Sequence, residues 1–216
     1  MTDCPLRRRR RKEARPQELL DAALALFVEK GFAATRSEEV ARRAGVSKGT
    51  LYLYYPIKEE LFKAVVRQNL TPIIAVGSDL LKAFEGSTPE LLSRLMDTWW
   101  ERVGSTQASG IFKLVLAEAC NFPELTRFYV DEVVLPSRAL LAGAIERGIR
   151  RGEFRAMNIE EVVHALIAPV QYLILHQHSI GACGFHELDL DYRSFMNTQI
   201  DLLLHGLMHR AEPTTP

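Results

Sequence analysis

Residues 35–55, TRSEEVARRAGVSKGTLYLYY, gather an ammonium, a hydroxyl and two phenols onto what reads as one short exposed helix. With Leu51 turned inward, Lys48, Gly49, Thr50, Tyr52 and Tyr54 are left for the outer face. Donors and acceptors of this kind suit the edge of a nucleic-acid groove, where phosphate oxygens and base edges are the ligands. Such a face works only if the helix beneath it is held in place. Thr35 and Glu38 stand in the T-x-x-E spacing of a capping box, so a helix is predicted to begin there. Small Ala41 allows close approach of the next helix, Gly45 accepts the left-handed backbone that ends the first, and Val46 plugs the core beneath the turn. Ser47 then caps the second helix.

The run GFAATRSEEVARRAGVSKGTLYLYYPIKEELF resembles the N-terminal domain of TetR-type transcriptional regulators, from the aromatic pair Phe27 and Phe32 to the closing Lys58 and Phe62. The resemblance covers the first third of the chain; the remainder matches in length and helical texture only. It implies an all-α protein: an N-terminal three-helix DNA-binding domain followed by a helical ligand-binding and dimerisation domain. Carried over residue by residue, it assigns Lys48, Gly49, Thr50 and Tyr52 to base or phosphate contact, and Tyr54 and Lys58 to the flanking backbone. Thr35, Arg36 and Ser37 would meet phosphate at the start of the preceding helix. Two departures stand out: Pro56-Ile57 replaces the usual small polar cap before Lys58, and Ser37 occupies a position that is often apolar in the family.

The formal net charge of the 216 residues is zero, but its distribution is uneven. Residues 1–67 hold 15 Lys/Arg against 9 Asp/Glu, and residues 68–216 hold 12 against 18. Much of the basic excess lies in residues 1–15, with 7 basic and 2 acidic side chains, including RRRRRK at 7–12. Phosphate attraction is therefore expected from a tail, with orientation left to specific contacts. No apolar core follows the basic run, which argues against a signal peptide. The longest apolar stretch, 165–175, is broken by Gln171 and too short to span a bilayer. Cys4, Cys120 and Cys183 are odd in number and scattered, as expected of a reducing, cytoplasmic setting.

Helical periodicity dominates, and about nine helices are expected. The predicted organisation is a basic flexible arm at 1–15, a helix-turn-helix domain at 16–67, a ligand-binding and dimerisation domain at 68–210 and a disordered tail at 211–216. Pro16 would sit in the first turn of a helix ending at Gly31. The helix from Lys58 would continue past Pro72 with a kink, and residues 123–151 would form one helix bent at Pro136.

One reading helix contacts few base pairs, so useful affinity needs two copies on half-sites one helical turn, ~34–36 Å, apart. Val163, Ile167, Val170 and Ile174 trace one stripe on a late helix, and Phe195, Gln199, Ile200, Leu203 and Leu207 trace another on the last. The resemblance implies a four-helix dimer interface from these two helices, although such stripes more commonly face their own core. It also places Trp99, Trp100, Phe112, Phe122, Phe128, Tyr129, Tyr172 and His176 in the region that takes a small lipophilic or aromatic effector, with Glu118 or Gln171 for orientation. The competing reading is an aromatic core. The alternatives kept open are a metal- or redox-responsive repressor and a DNA-binding regulator without an effector. His176, His178, Cys183 and His186, with Glu187 and Asp189, match no tight metal signature and read as a His-rich loop. No Gly-rich phosphate cradle, G-x-S-x-G elbow or paired catalytic carboxylate is present, so no enzyme activity and no cofactor is expected.

Overall fold

The computed structural model describes the backbone of residues 5–184 and 190–208, and side chains from Pro16 onward within those ranges. Packing divides the chain into two compact units, and their limits do not follow chain order. Met1–Pro72 form the first together with Thr106–Glu132; Ile73–Ser105 and Val133–Pro216 form the second. The boundary expected at residue 68 is therefore only half the account, because a later stretch of chain packs back onto the N-terminal helices.

The first unit contains α1 (Pro5–Lys30), α2 (Ser37–Arg43), α3 (Lys48–Tyr54), α4 (Lys58–Asn69), α7 (Gly110–Glu118) and α8 (Pro123–Tyr129). Helix α1 starts well before Pro16, which lies in its interior. The Arg, Lys, Glu and Ala residues upstream are strong helix formers and carry the helix through positions expected to be an arm. Leu19, Ala23, Leu26 and Phe27 of α1 are buried with Val40, Leu51, Leu61, Phe62 and Val65. Gly31 and Gly45 both take positive φ, +86° and +66°, ending α1 and turning the chain after α2.

The second unit contains most of α5 (Thr71–Ala83), then α6 (Thr88–Trp99), α9 (Leu135–Arg150), α10 (Ile159–His178) and α11 (Tyr192–Leu207). Ser87 caps α6 in a full capping box with Glu90. Leu91, Leu92, Leu95, Ala144, Ile145, Phe154, Val162, Leu166 and Leu207 form its core. Gly148 is required by close approach: a Cβ there would lie 2.2 Å from the Phe154 ring. The helix expected to kink at Pro72 instead breaks at Leu70. That leaves Pro72 at the second position of α5, where a missing N–H costs nothing. Pro136 is likewise the second residue of α9, joined to α8 by a π-helical turn, Val130–Val134. With segments interrupted only at Leu70 or by that turn counted as continuous, the eleven α-helical segments of the described residues reduce to the nine expected.

Four of the nine residues expected at a dimer interface turn into the core of their own chain. Val163, Val170, Ile174 and Leu207 are buried within this chain, and Ile167, Phe195, Gln199, Ile200 and Leu203 are half-buried. Helix α10 is apolar on more than one face, so periodicity alone could not say which face turns inward. Its exposed positions are Glu160, Glu161, His164, Ala165, Ala168, Tyr172 and Leu175. Among the described residues no helix is long and apolar enough to cross a membrane.

Candidate nucleic-acid interface

The turn between α2 and α3 is built from short hydrogen bonds. The Val46 N–H donates to Ala41 O at 2.9 Å, closing the α2 end around Gly45. Ser47 is the N-cap of α3: its Oγ accepts from the Thr50 N–H at 3.1 Å and lies 2.8 Å from Thr50 Oγ1. Leu51 is buried, which turns the rest of α3 outward. Lys48, Gly49 and Tyr52 are exposed, Thr50 and Tyr54 half-buried, as is Ser37 on α2, and Arg36 is exposed just before α2. Leu53, which the sequence reading passed over between its two tyrosines, stands 80% exposed on the same helix.

Two expected contact residues do other work. Thr35 is only 1% exposed, and its hydroxyl donates to Gly31 O at 2.7 Å and Leu26 O at 3.2 Å. It secures the end of α1 and does not cap α2, whose N-cap is Arg36 without a side-chain bond. Lys58 is turned inward as well. Its Nζ donates to the carbonyls of Phe32, Ala33 and Thr35 at 2.7, 3.3 and 3.1 Å and lies 4.4 Å over the Phe32 ring. Partial burial lowers its pKa from the usual lysine value. Both residues are polar groups that donate to carbonyls at the end of α1 and in the α1–α2 loop.

The same loop is held from its other side by the 106–132 segment. Glu118, at the end of α7, accepts the Ala33 N–H at 3.0 Å and Asn121 Nδ2 at 3.1 Å. Phe122 meets the Phe32 ring edge-on with centroids 4.8 Å apart. Arg67 of α4 donates to Glu132 at 2.7 Å and lies 4.9 Å over the Phe128 ring. The hydrogen bond donated by the Ala33 N–H holds the Glu118 carboxyl below its ordinary pKa of 4.5. Ionised Glu118 therefore stabilises the first unit above that value, and the contribution is lost as pH falls through the lowered one. Glu118→Gln should lose less melting temperature than the parent between about pH 5 and pH 3. Equal losses in thermal melts would remove Glu118 from this role.

The residues expected around an effector do not come together in one unit. Phe112, Phe122, Phe128 and Tyr129 belong to the first, where Tyr129 is buried and its phenol pKa pushed up by burial. Trp99, Trp100, Tyr172 and His176 belong to the second. There a run of rings extends from Trp99 through Trp100, Tyr192, His176 and Tyr172 to Phe195, with neighbouring centroids 5.9–6.4 Å apart. His176 is buried, and its Nδ1 lies 3.2 Å from the Tyr192 hydroxyl. Sequence spacing missed Tyr192, which only the fold brings to His176. Among the described residues no group of His, Cys, Asp and Glu has the arrangement of a metal site; His186, Glu187 and Asp189 lie outside them. Cys120 and Cys183 are free thiols.

An α2–turn–α3 unit with an exposed second helix, in an otherwise helical chain, defines a DNA-binding transcriptional regulator. A family model described as bacterial regulatory proteins of the tetR family matches residues 19–65, and a tetracyclin repressor-like C-terminal domain matches residues 84–181. The chain belongs to the TetR family, whose members are transcription factors and not enzymes. It is 28% identical over 191 residues to the HTH-type transcriptional repressor KstR2 of Rhodococcus jostii (strain RHA1), covering 88% of this chain and 91% of that one. The HTH-type regulator RutR of Escherichia coli (strain K12) is 45% identical over 78 residues, 36% of this chain and 35% of its own length. The crystal structure of the regulator FadR from Bacillus subtilis in complex with stearoyl-CoA superimposes with a TM-score of 0.68 at 18% identity, covering 88% of this chain and 98% of that one.

Proposed function

We propose that this protein is a repressor that acts in the cytoplasm as a homodimer, placing α3 of each protomer on one half of a short inverted repeat. The observation that carries the reading is the face of α3: Lys48, Gly49, Tyr52 and Leu53 stand exposed together while Leu51 anchors the helix from below. Lys48 and Tyr52 supply hydrogen bonds to base edges or phosphate, Gly49 lets the backbone approach, and Leu53 offers an apolar surface to a thymine methyl group. Arg36 and Ser37 serve the adjoining phosphates, with the N–H groups at the start of α2.

Dimerisation is assigned to the outward faces of α10 and α11. Ala165, Ala168, Tyr172 and Leu175 recur at helical spacing on α10, with Tyr172 54% exposed, and Leu202 of α11 is 61% exposed. The Tyr172 and Phe195 rings, 6.0 Å apart, join the two stripes. A Tyr172→Glu/Leu202→Glu variant should sediment as a folded monomer and bind its operator at least roughly 100-fold more weakly, because two tethered half-site contacts become one. A variant that stays dimeric would refute this face.

The effector is a small lipophilic or aromatic molecule held among the helices of the second unit, in the region of the Trp99–Phe195 run of rings. Its binding favours a state that does not fit the operator, which releases the repressor. The acyl-CoA bound by the Bacillus protein supports a long apolar chain as the ligand class.

A further inference from the structure

Glu38 stands exposed in the first turn of α2, the element that precedes the proposed reading helix. Its carboxylate accepts a hydrogen bond from its own backbone N–H and also reaches across to α3. Oε1 pairs with Lys48 Nζ of α3 at 2.6 Å, and the Tyr52 hydroxyl lies 3.5 Å from the same oxygen. Lys48 Nζ in turn sits 5.5 Å over the Tyr52 ring. The neighbouring Glu39 is engaged elsewhere, by Lys30 at 3.0 Å and Arg42 at 3.8 Å. Two exposed side chains of α3 thus converge on one acidic oxygen, on the surface where a duplex would arrive. The bond from Lys48 holds the Glu38 carboxyl below its ordinary pKa, so the group is ionised at neutral pH.

An ion pair this exposed contributes little to folding. Its effect falls on partner choice. A phosphate backbone of any sequence competes for Lys48, and taking it strands an unpaired carboxylate beside a polyanion. Discrimination of this kind comes from a repulsive element directed at the wrong partner as much as from attraction to the right one. We propose that Glu38 is a specificity-determining positioning residue, which holds Lys48 and Tyr52 together for base contact and withholds the Lys48 charge from non-cognate backbone. The proposal rests on the reading of α3 as the DNA-reading helix.

The test uses the full-length protein and two duplexes: one recovered by the wild type from a random library, and a scrambled duplex of the same composition. Binding is followed by fluorescence anisotropy between about 50 and 200 mM salt. Freeing one lysine for phosphate should make Glu38→Gln bind the scrambled duplex roughly 5- to 10-fold tighter and steepen its salt slope by about one. The recovered duplex should gain less, so the specificity ratio falls. In a Lys48→Ala background the same change at Glu38 should leave the slope on scrambled DNA unaltered. Equal gains on both duplexes with an unchanged slope, or the same gain without Lys48, would reduce Glu38 to bulk charge and overturn the proposal. A wild type that recovers no preferred sequence would instead refute the DNA-reading assignment of α3, and with it this role.

Discussion

Replacing Lys48 and Tyr52 together by alanine should abolish sequence-specific DNA binding and leave the dimer folded. Neither side chain contributes to the core: both are exposed, and α3 is held by buried Leu51 and by the Ser47 cap. The expected loss follows from what the two groups would do at a base edge. Each good contact is worth about 1–3 kcal/mol of discrimination, so losing both reduces operator preference by roughly two orders of magnitude or more. Binding to unrelated DNA should fall much less, because the Arg-rich N-terminal run is untouched. Gel-shift titrations against operator and scrambled duplex, with sedimentation as the folding control, read both effects. An unchanged operator preference would mean that α3 is not the reading helix.

The second large effect is on stability. Phe32 is 1% exposed, and its ring meets Phe27, Phe62 and Phe122 with centroids 5.5, 5.6 and 4.8 Å apart, besides lying beneath Lys58. Phe32→Ala should destabilise the first unit by about 3–5 kcal/mol, close to the whole stability of a small domain. Phe122→Ala should cost less, since that ring is only half-buried. The pair decides whether 106–132 truly belongs with the reading head. A double-mutant cycle in denaturant should return a coupling of about 0.5–1.5 kcal/mol between the two rings. Additive losses would mean that α7 and α8 fold independently of the α1–α4 core.

The helix-turn-helix was legible in the sequence because its constraints are local. Gly45 needs a positive φ, Ser47 needs a free amide three residues on, and Leu51 needs the core; all three are satisfied within a few residues of chain. Thr35 and Lys58 were misplaced for the opposite reason. Their partners are carbonyls at the end of α1 and in the α1–α2 loop, and for Lys58 these lie 23–26 positions away. A hydroxyl and an ammonium that seal a loop have the same sequence signature as ones that meet phosphate. Which face of α10 turns inward was not legible, because Val163, Val170 and Ile174 on one face and Ala168, Tyr172 and Leu175 on another are alike apolar. The return of 106–132 to the N-terminal unit had no local signal, since Phe122 and Glu118 find Phe32 and Ala33 only through the tertiary fold.

The most direct test of the account is selection of bound duplexes from a random library by the full-length protein, with the Lys48→Ala/Tyr52→Ala variant in parallel. The wild type alone should recover an inverted repeat with half-sites one helical turn apart, ~34–36 Å. The same repeat recovered by both proteins would contradict it.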